Sequence, residues 1–183
     1  SDVATESSFS SATYRVVFES TWSPATHPDP GFPGNAHFSP LIGGVHNANV
    51  SFWTNGGLAS AGIEIMAETG AVGSLSAEIQ TAIDAGDTLA IIQGSGLGMS
   101  TGTVIIEQFS VNTDFPLVTL TTMIAPSPDW FVGVHGLSLL EDQGQWVQER
   151  QVVLVPYDAG TDDGDGYTAA DAEATPHQPI QSL

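Results

Sequence analysis

TLAIIQ (88–93), GTVIIEQFSV (102–111), LVTLTTMIA (117–125), WFVGVHGLSLL (130–140) and WVQERQVVLVPY (146–157) follow one another through the second half of the chain. Each run is rich in Val, Ile, Thr and aromatic residues, and Gly, Pro, Asp or Asn punctuates the gaps. Side chains of that kind suit a pleated, half-buried surface, and the gaps carry turn chemistry. Upstream, TYRVVFES (13–20) alternates, with Tyr14, Val16 and Phe18 on one face and Arg15 and Glu19 on the other. Short strands at regular spacing predict an antiparallel β-sandwich rather than a βαβ sheet. Two helical stretches interrupt the pattern. GLASAGIEIMAET (57–69) predicts a short helix closed by Gly70. SLSAEIQTAIDA (74–85) predicts another, with Leu75, Ile79 and Ile83 on one face, Ser74 as N-cap and Gly86 just past the end. The fold class is therefore mostly β, with one or two short helices, and no internal repeat divides it.

At 183 residues the chain is long enough for one domain with a substantial core. Its charge is lopsided: 21 Asp and Glu stand against two arginines, Arg15 and Arg150, for a net charge of −19. A hydrophobic fraction of 41% is nonetheless too high for a disordered acidic chain. Two arginines cannot build a phosphate-binding face, which excludes nucleic acid and disfavours an anionic membrane. No stretch approaches the roughly 18–20 apolar residues of a transmembrane helix. With no cysteine, disulfides, thiolate metal sites and cysteine nucleophiles are out. An acidic, amine-poor surface suits salty water, where its self-repulsion is screened, and this favours an extracellular setting. The polar opening SDVATESSFSSAT reads as a mature or trimmed end. Residues 1–12 form an expected N-terminal arm ahead of a domain at 13–183.

Between Thr21 and Pro40 lie five prolines, with Pro28-Asp29-Pro30-Gly31 as its clearest turn. A loop that long is either functional or well anchored. The run Gly94-Ser95-Gly96-Leu97-Gly98 follows a strand, as a phosphate cradle would. A cradle needs a helix to follow, whereas here a strand does, so the expectation is a hairpin or flexible loop. Of the five histidines, none forms HExxH or a helical i, i+4 pair. His27, His37 and His46 flank the Pro-rich region, and they read either as local hydrogen-bonding groups or, for His37 and His46, as ligand-facing residues. No Gly-x-Ser-x-Gly elbow is present.

The acidic segment carries more chemistry. Asp158, Asp162, Asp163, Asp165, Asp171 and Glu173 are interleaved with Gly160, Gly164 and Gly166. Carboxylates on a glycine-bent loop suit a hard cation, since calcium takes about six to eight oxygen ligands. The loop is not an EF-hand: Thr161 stands at the first position and Ala172 at the twelfth, where a glutamate belongs. A solvated acidic rim is the competing reading.

Taken together, several segments resemble the spondin amino-terminal domain, the module of the F-spondin family of extracellular matrix proteins and of many secreted bacterial proteins. They are Tyr14-Arg15-Val16-Val17-Phe18 with Thr21-Trp22-Ser23 and His27-Pro28, then His37 through Asn47, Trp53 with Gly56 to Ser60, and Ala67-Glu68-Thr69-Gly70. The most specific are Ile124-Ala125-Pro126-Ser127-Pro128-Asp129-Trp130-Phe131-Val132-Gly133-Val134 and Asp158-Ala159-Gly160-Thr161-Asp162-Asp163-Gly164. The resemblance implies a C2-like antiparallel β-sandwich and a Ca²⁺ site. Carried over by motif, the metal ligands are Asp129, Asp158 and Asp162. Asp163 and Asp165 add acids beside the pair, as a weaker second site or a charged rim. Three carboxylates imply a modest affinity, about 10⁻⁴ to 10⁻³ M or somewhat tighter.

The function expected from all this is a secreted, non-catalytic calcium-binding module for adhesion or surface assembly. Its partner would be an extracellular glycan, a protein ligand or another copy of itself. In the last case residues 1–12 could dock in a neighbouring subunit rather than on their own domain. The animal members' cysteine-rich repeats have no counterpart here, so matrix or neuronal adhesion does not carry over. Asn49-Val50-Ser51 is a glycosylation sequon. The alternative is a secreted hydrolase using acids and the His37/His46 region around a structural calcium.

Overall fold

The computed structural model describes residues 10–27 and 31–183. In chain order its elements are β1 (Ser11–Thr21), β2 (His37–Phe38), β3 (Ile42–His46), α1 (Ala61–Thr69), α2 (Gly73–Asp84), β4 (Thr88–Gln93), β5 (Thr101–Asn112), β6 (Leu117–Ala125), β7 (Trp130–Ser138), β8 (Pro156–Asp158) and β9 (Gln181–Ser182). β1 and β5 pair as a long two-stranded ribbon. The second sheet runs β4-β3-β6-β7-β8-β9, with β2 also on β6. Every strand pair is antiparallel, so the expected antiparallel β-sandwich is the fold.

Two hydrophobic layers hold it together. Between the ribbon and the sheet lie Phe18, Trp22, Phe38, Val45, Val104, Leu120, Ile124 and Val132. On the sheet's other face α1 and α2 press Ile63, Met66, Leu75 and Ile79 against Ile42, Met123 and Phe131. Each such side chain contributes roughly 1.5–3 kcal/mol by leaving water. Covered on both faces, β6 is buried from Val118 to Ala125. Its threonines survive there because their hydroxyls are bonded: Thr121 donates to Ile42 O (3.2 Å) and Thr122 to Ser39 O (2.7 Å).

Several boundaries differ from the sequence reading. Ladder pairing lengthens the first strand to 11–21, so Ser11 and Ala12 of the expected arm pair with Asn112 and Val111. Residues 1–9, and Pro28 to Pro30 of the Pro-rich turn, lie outside the described residues. The rest of that loop is anchored by Trp22, whose ring centroid lies 5.2 Å from Phe32, 5.6 Å from Phe38 and 5.5 Å from Tyr167. The Gly94–Gly98 run is not a hairpin. It carries the chain from the sheet to the ribbon, held by reciprocal hydrogen bonds between Leu97 and Phe38. No helix follows it.

Ser74 is not the N-cap of α2. The helix starts at Gly73, and Val72 enters it already helical (φ −96°, ψ −5°), so no side-chain cap forms. The far end is as expected: Gly86 (φ +84°) closes it, its N–H bonding Ile83 O while Asp87 N–H bonds Ala82 O. α1 begins at Ala61 because its cap is Ser60, whose Oγ accepts from Ile63 N (3.2 Å). Glu78 of α2 completes that cap, accepting from Gly62 N and Ser60 Oγ at 2.7 Å each.

The 146–157 run is the largest correction, since only Pro156 onward joins a ladder. Trp146 bridges Leu140, Val147 bonds Leu139 O, and the stretch from Gln148 to Val155 carries no strand pairing. Its valines supply β propensity, but no neighbouring strand takes up their backbone groups. Val153 stands 87% exposed.

Candidate functional site

The pairing of β7 with β8 decides the site. It sets Trp130 opposite Asp158, and Ala159 N–H then donates to Asp129 O (3.1 Å). Two acids 29 positions apart in sequence thus meet at one end of the sheet. Ahead of β7, Ser127 Oγ accepts from Trp130 N (3.0 Å) and shapes the turn that turns Asp129 inward. Beyond β8 the chain bends at Gly160, with φ +74°. A Cβ there would lie 2.1 Å from Gln178 O, so glycine is required.

Asp129 is fully buried. Its Oδ2 accepts from Thr161 N (2.8 Å), Asp162 N (3.2 Å) and Thr161 Oγ1 (3.3 Å). Its Oδ1 is buried with no hydrogen-bond partner. Burial pushes this carboxyl above its ordinary range, and the charge of Asp158 pushes it further, against the pull of the Thr161 and Asp162 donors. A buried carboxylate with an orphaned oxygen, beside a second carboxylate, is an arrangement that favours a proton or a cation.

Asp158 Oδ1 accepts from Gly160 N (2.8 Å). Asp162 is buried and braces the acidic loop, with Gly164 N on Oδ1 (2.7 Å) and Ala172 N on Oδ2 (2.8 Å). Asp163 and Asp165, like Asp171 and Glu173, are exposed. Among the described residues, no three His, Asp or Glu side chains already converge on a metal position. The oxygen chemistry fits a hard cation through the orphaned Asp129 oxygen. Asp158 and Asp162, by contrast, point their carboxylates at their own loop's N–H groups.

One acid at this end was missing from the expected site residues. Glu68, in the last turn of α1, lines a cleft with Pro126 and Ser127; burial pushes its carboxyl up, and the charges of Glu64, Asp129 and Asp162 push the same way against the pull of Thr161. The signal was in the sequence, since Glu68 sits in the Ala67–Gly70 segment, but nothing local tied it to the aspartates.

The two singled-out histidines part company. His37 lines a shallow cleft of about 420 Å³ with Glu68, Pro126 and Ser127, and its Nδ1 lies 2.7 Å from Asn35 O. His46 is not ligand-facing: it is 2% exposed, with Nδ1 on Asn47 O and Nε2 on Thr119 Oγ1, both at 2.8 Å. The reason is register. His46 stands opposite Leu117 and His37 opposite Ala125, at the two ends of β6. At about 3.4 Å per residue that separates them by well over 20 Å, so they form no joint catalytic constellation.

An antiparallel sandwich with a helical layer on one face, and acids from two strand-end loops and a helix stacked at one end, defines a loop-presenting β module. The chain belongs to the spondin amino-terminal family, whose model, described as Spondin_N, matches residues 12–183. It is 35% identical to Spondin-1 of Rattus norvegicus and 34% identical to Spondin-1 of Homo sapiens, over 94% of this chain and 22% of each relative. It is 32% identical to Spondin-2 of Homo sapiens, over 94% of this chain and 52% of that protein. The chain thus spans about a fifth to a half of the curated relatives it matches. No helix among the described residues is long and apolar enough to cross a membrane.

Proposed function

We propose that this chain is an extracellular, non-catalytic module that binds Ca²⁺ at the Asp129 end of its sandwich and presents the clamped loops for adhesion or surface assembly. Asp129, Asp158 and Asp162 would hold the ion. The observation that carries the reading is the buried, unpartnered Oδ1 of Asp129 beside the Asp158 carboxylate. When bound, the cation supplies positive charge that two acids at close quarters lack. Asp158 and Asp162 each organise a turn of the same loop, so their engagement would tie the 158–173 loop to the β6–β7 connection. The partner is an extracellular glycan, a protein or a second copy of the chain.

The test is calcium calorimetry on chelator-stripped protein, with thermal melting alongside. For a Kd near 10⁻⁴ M, about 10 mM calcium stabilises the fold by about 2.7 kcal/mol. In a domain of this size that is a rise of about 5–11 °C in Tm. Asp129→Asn should abolish this gain while leaving the metal-free protein at least as stable as the wild type at neutral pH. No heat and no Tm change at about 10 mM would refute the site.

A further inference from the structure

β1 keeps Thr13, Arg15, Val17, Glu19 and Thr21 exposed on its outer face, while Tyr14, Val16, Phe18 and Ser20 turn inward. Among the described residues it pairs only with β5, so its other edge has no strand beside it. Such an edge offers its N–H and C=O groups to any strand that fits, and lysine, proline or a bulge commonly blunts it. The 11–21 run holds no lysine and no proline. The bulge of this ribbon falls on β5, where Glu107 and Gln108 together face Arg15 between the pairs Tyr14–Phe109 and Val16–Ile106. β1 itself stays regular.

The outer face of β1 is also its own complement. Turned end for end about Val17, the strand sets Arg15 against Glu19, Val17 against Val17 and Thr13 against Thr21. Arg15 is one of only two basic side chains, histidines aside, in a chain of net charge −19. Four residues apart on one strand, Arg15 and Glu19 are separated by about 13 Å, too far to pair with each other. Val17 and Ile105 stand opposite one another in the ribbon and are 50% and 46% exposed, which gives the face an apolar centre.

We propose that β1 is a docking edge for a second copy of this chain. The two β1 strands pair antiparallel about a twofold axis at Val17 and join two ribbons into one four-stranded sheet, ordered β5-β1-β1-β5. Ile105, Val17, and the same two residues of the second copy form an aliphatic row across the axis. On either side of it Arg15 of one copy faces Glu19 of the other, and beyond that Thr13 faces Thr21. Opposite charges and aliphatic pairs directly across antiparallel strands are stabilising, and like charges there are not. A contact of this kind uses the same patch on both copies and closes at a dimer. The inference deepens one part of the reading above, the second copy as partner, and does not depend on the cation.

The experiment is sedimentation velocity on the full chain in chelator at about 0.15 M salt, where the screening length is about 8 Å. Wild type should show a concentration-dependent monomer–dimer equilibrium with no larger species. Arg15→Glu and Glu19→Arg should each weaken it about tenfold or more, since each sets like charges opposite one another twice across the axis. The chain carrying both substitutions regains the pairing and should return to within about threefold of the wild-type dissociation constant. Net charge alone predicts a different pattern: Arg15→Glu makes the chain more negative and Glu19→Arg less so, so the first would weaken association and the second strengthen it. Melts in the same buffer show that each variant is folded. Register is tested separately, because the chain has no cysteine of its own. Directly opposed Cα atoms lie about 4.5–5.5 Å apart, within disulfide reach, so Val17→Cys alone should oxidise to a dimer, whereas Thr13→Cys, which faces Thr21, should not. A wild type that stays monomeric up to about 1 mM overturns the proposal and leaves the calcium reading standing. Tighter dimerisation by Glu19→Arg, or crosslinking by Thr13→Cys as fast as by Val17→Cys, overturns it as well.

Discussion

Replacing Thr119 by valine should destabilise the fold through one buried nitrogen. Asn47 O can only accept, so His46 carries its proton on Nδ1 and presents a bare Nε2 to Thr119. The Thr119 hydroxyl donates to that nitrogen at 2.8 Å and accepts from Gly136 N–H at 3.0 Å. Valine preserves the side chain's shape but leaves both groups without their partner. Gly136 is exposed, so water replaces the lost acceptor at little cost. Nε2 lies in the core and has no such recourse, which sets the loss at about 1–3 kcal/mol. For a chain of this length that lowers Tm by about 2–12 °C. Urea unfolding with linear extrapolation measures it directly, and Thr119→Ser, which keeps the hydroxyl, should lose less than about 1.5 kcal/mol. A valine variant within about 0.5 kcal/mol of wild type would show that the histidine does not depend on this bond, and the tautomer argument would fail.

Other substitutions probe other layers. Gly43→Ala would set a Cβ 1.9 Å from Thr119 O in the neighbouring strand; the backbone must shift, and a loss of about 3 kcal/mol or more in urea unfolding is expected. Glu78→Ala removes the carboxylate that caps α1 through Gly62 N and Ser60 Oγ; it should cost about 1–2 kcal/mol, and a neutral result would mean that Ser60 suffices alone. The pH dependence has two opposing parts. Burial lowers the pKa of His46 below 6.5, so its contribution is full above that value and fades as pH falls. Burial raises the pKa of Asp129 above 3.8, so its contribution is full below that value and is lost as pH rises through the higher folded pKa. In chelator, the stability of Asp129→Asn relative to wild type should therefore grow from acid to neutral pH, and a pH-independent difference in urea unfolding would contradict that.

Much of the architecture could be read from local chemistry. LVTLTTMIA has the same limits in sequence and structure, 117–125, because Pro116 and Pro126 bound a run that is apolar or threonine throughout. The ends of α1 and α2 were legible because Gly70 and Gly86 adopt positive φ. Asp129, Asp158 and Asp162 were legible as a set only through the resemblance of their motifs, and the β7–β8 pairing then brought Asp129 and Asp158 together. Where a reading failed, the missing information was a partner. The valines after Gln148 look like a strand, yet no ladder adjoins them.

The sequence by itself determined the strand alternation, the glycine-closed helix ends and the acidic composition of the 158–173 loop, because each follows from a residue and its immediate neighbours. Only the tertiary structure decided that His46 is a core residue held by Thr119 and that His37 faces a cleft. It alone set Glu68 of the helical layer beside Pro126 and Ser127 in the cleft that His37 lines. Those outcomes depend on strand register and on how a helix packs across a sheet, which relate residues dozens of positions apart and leave no mark on either residue alone.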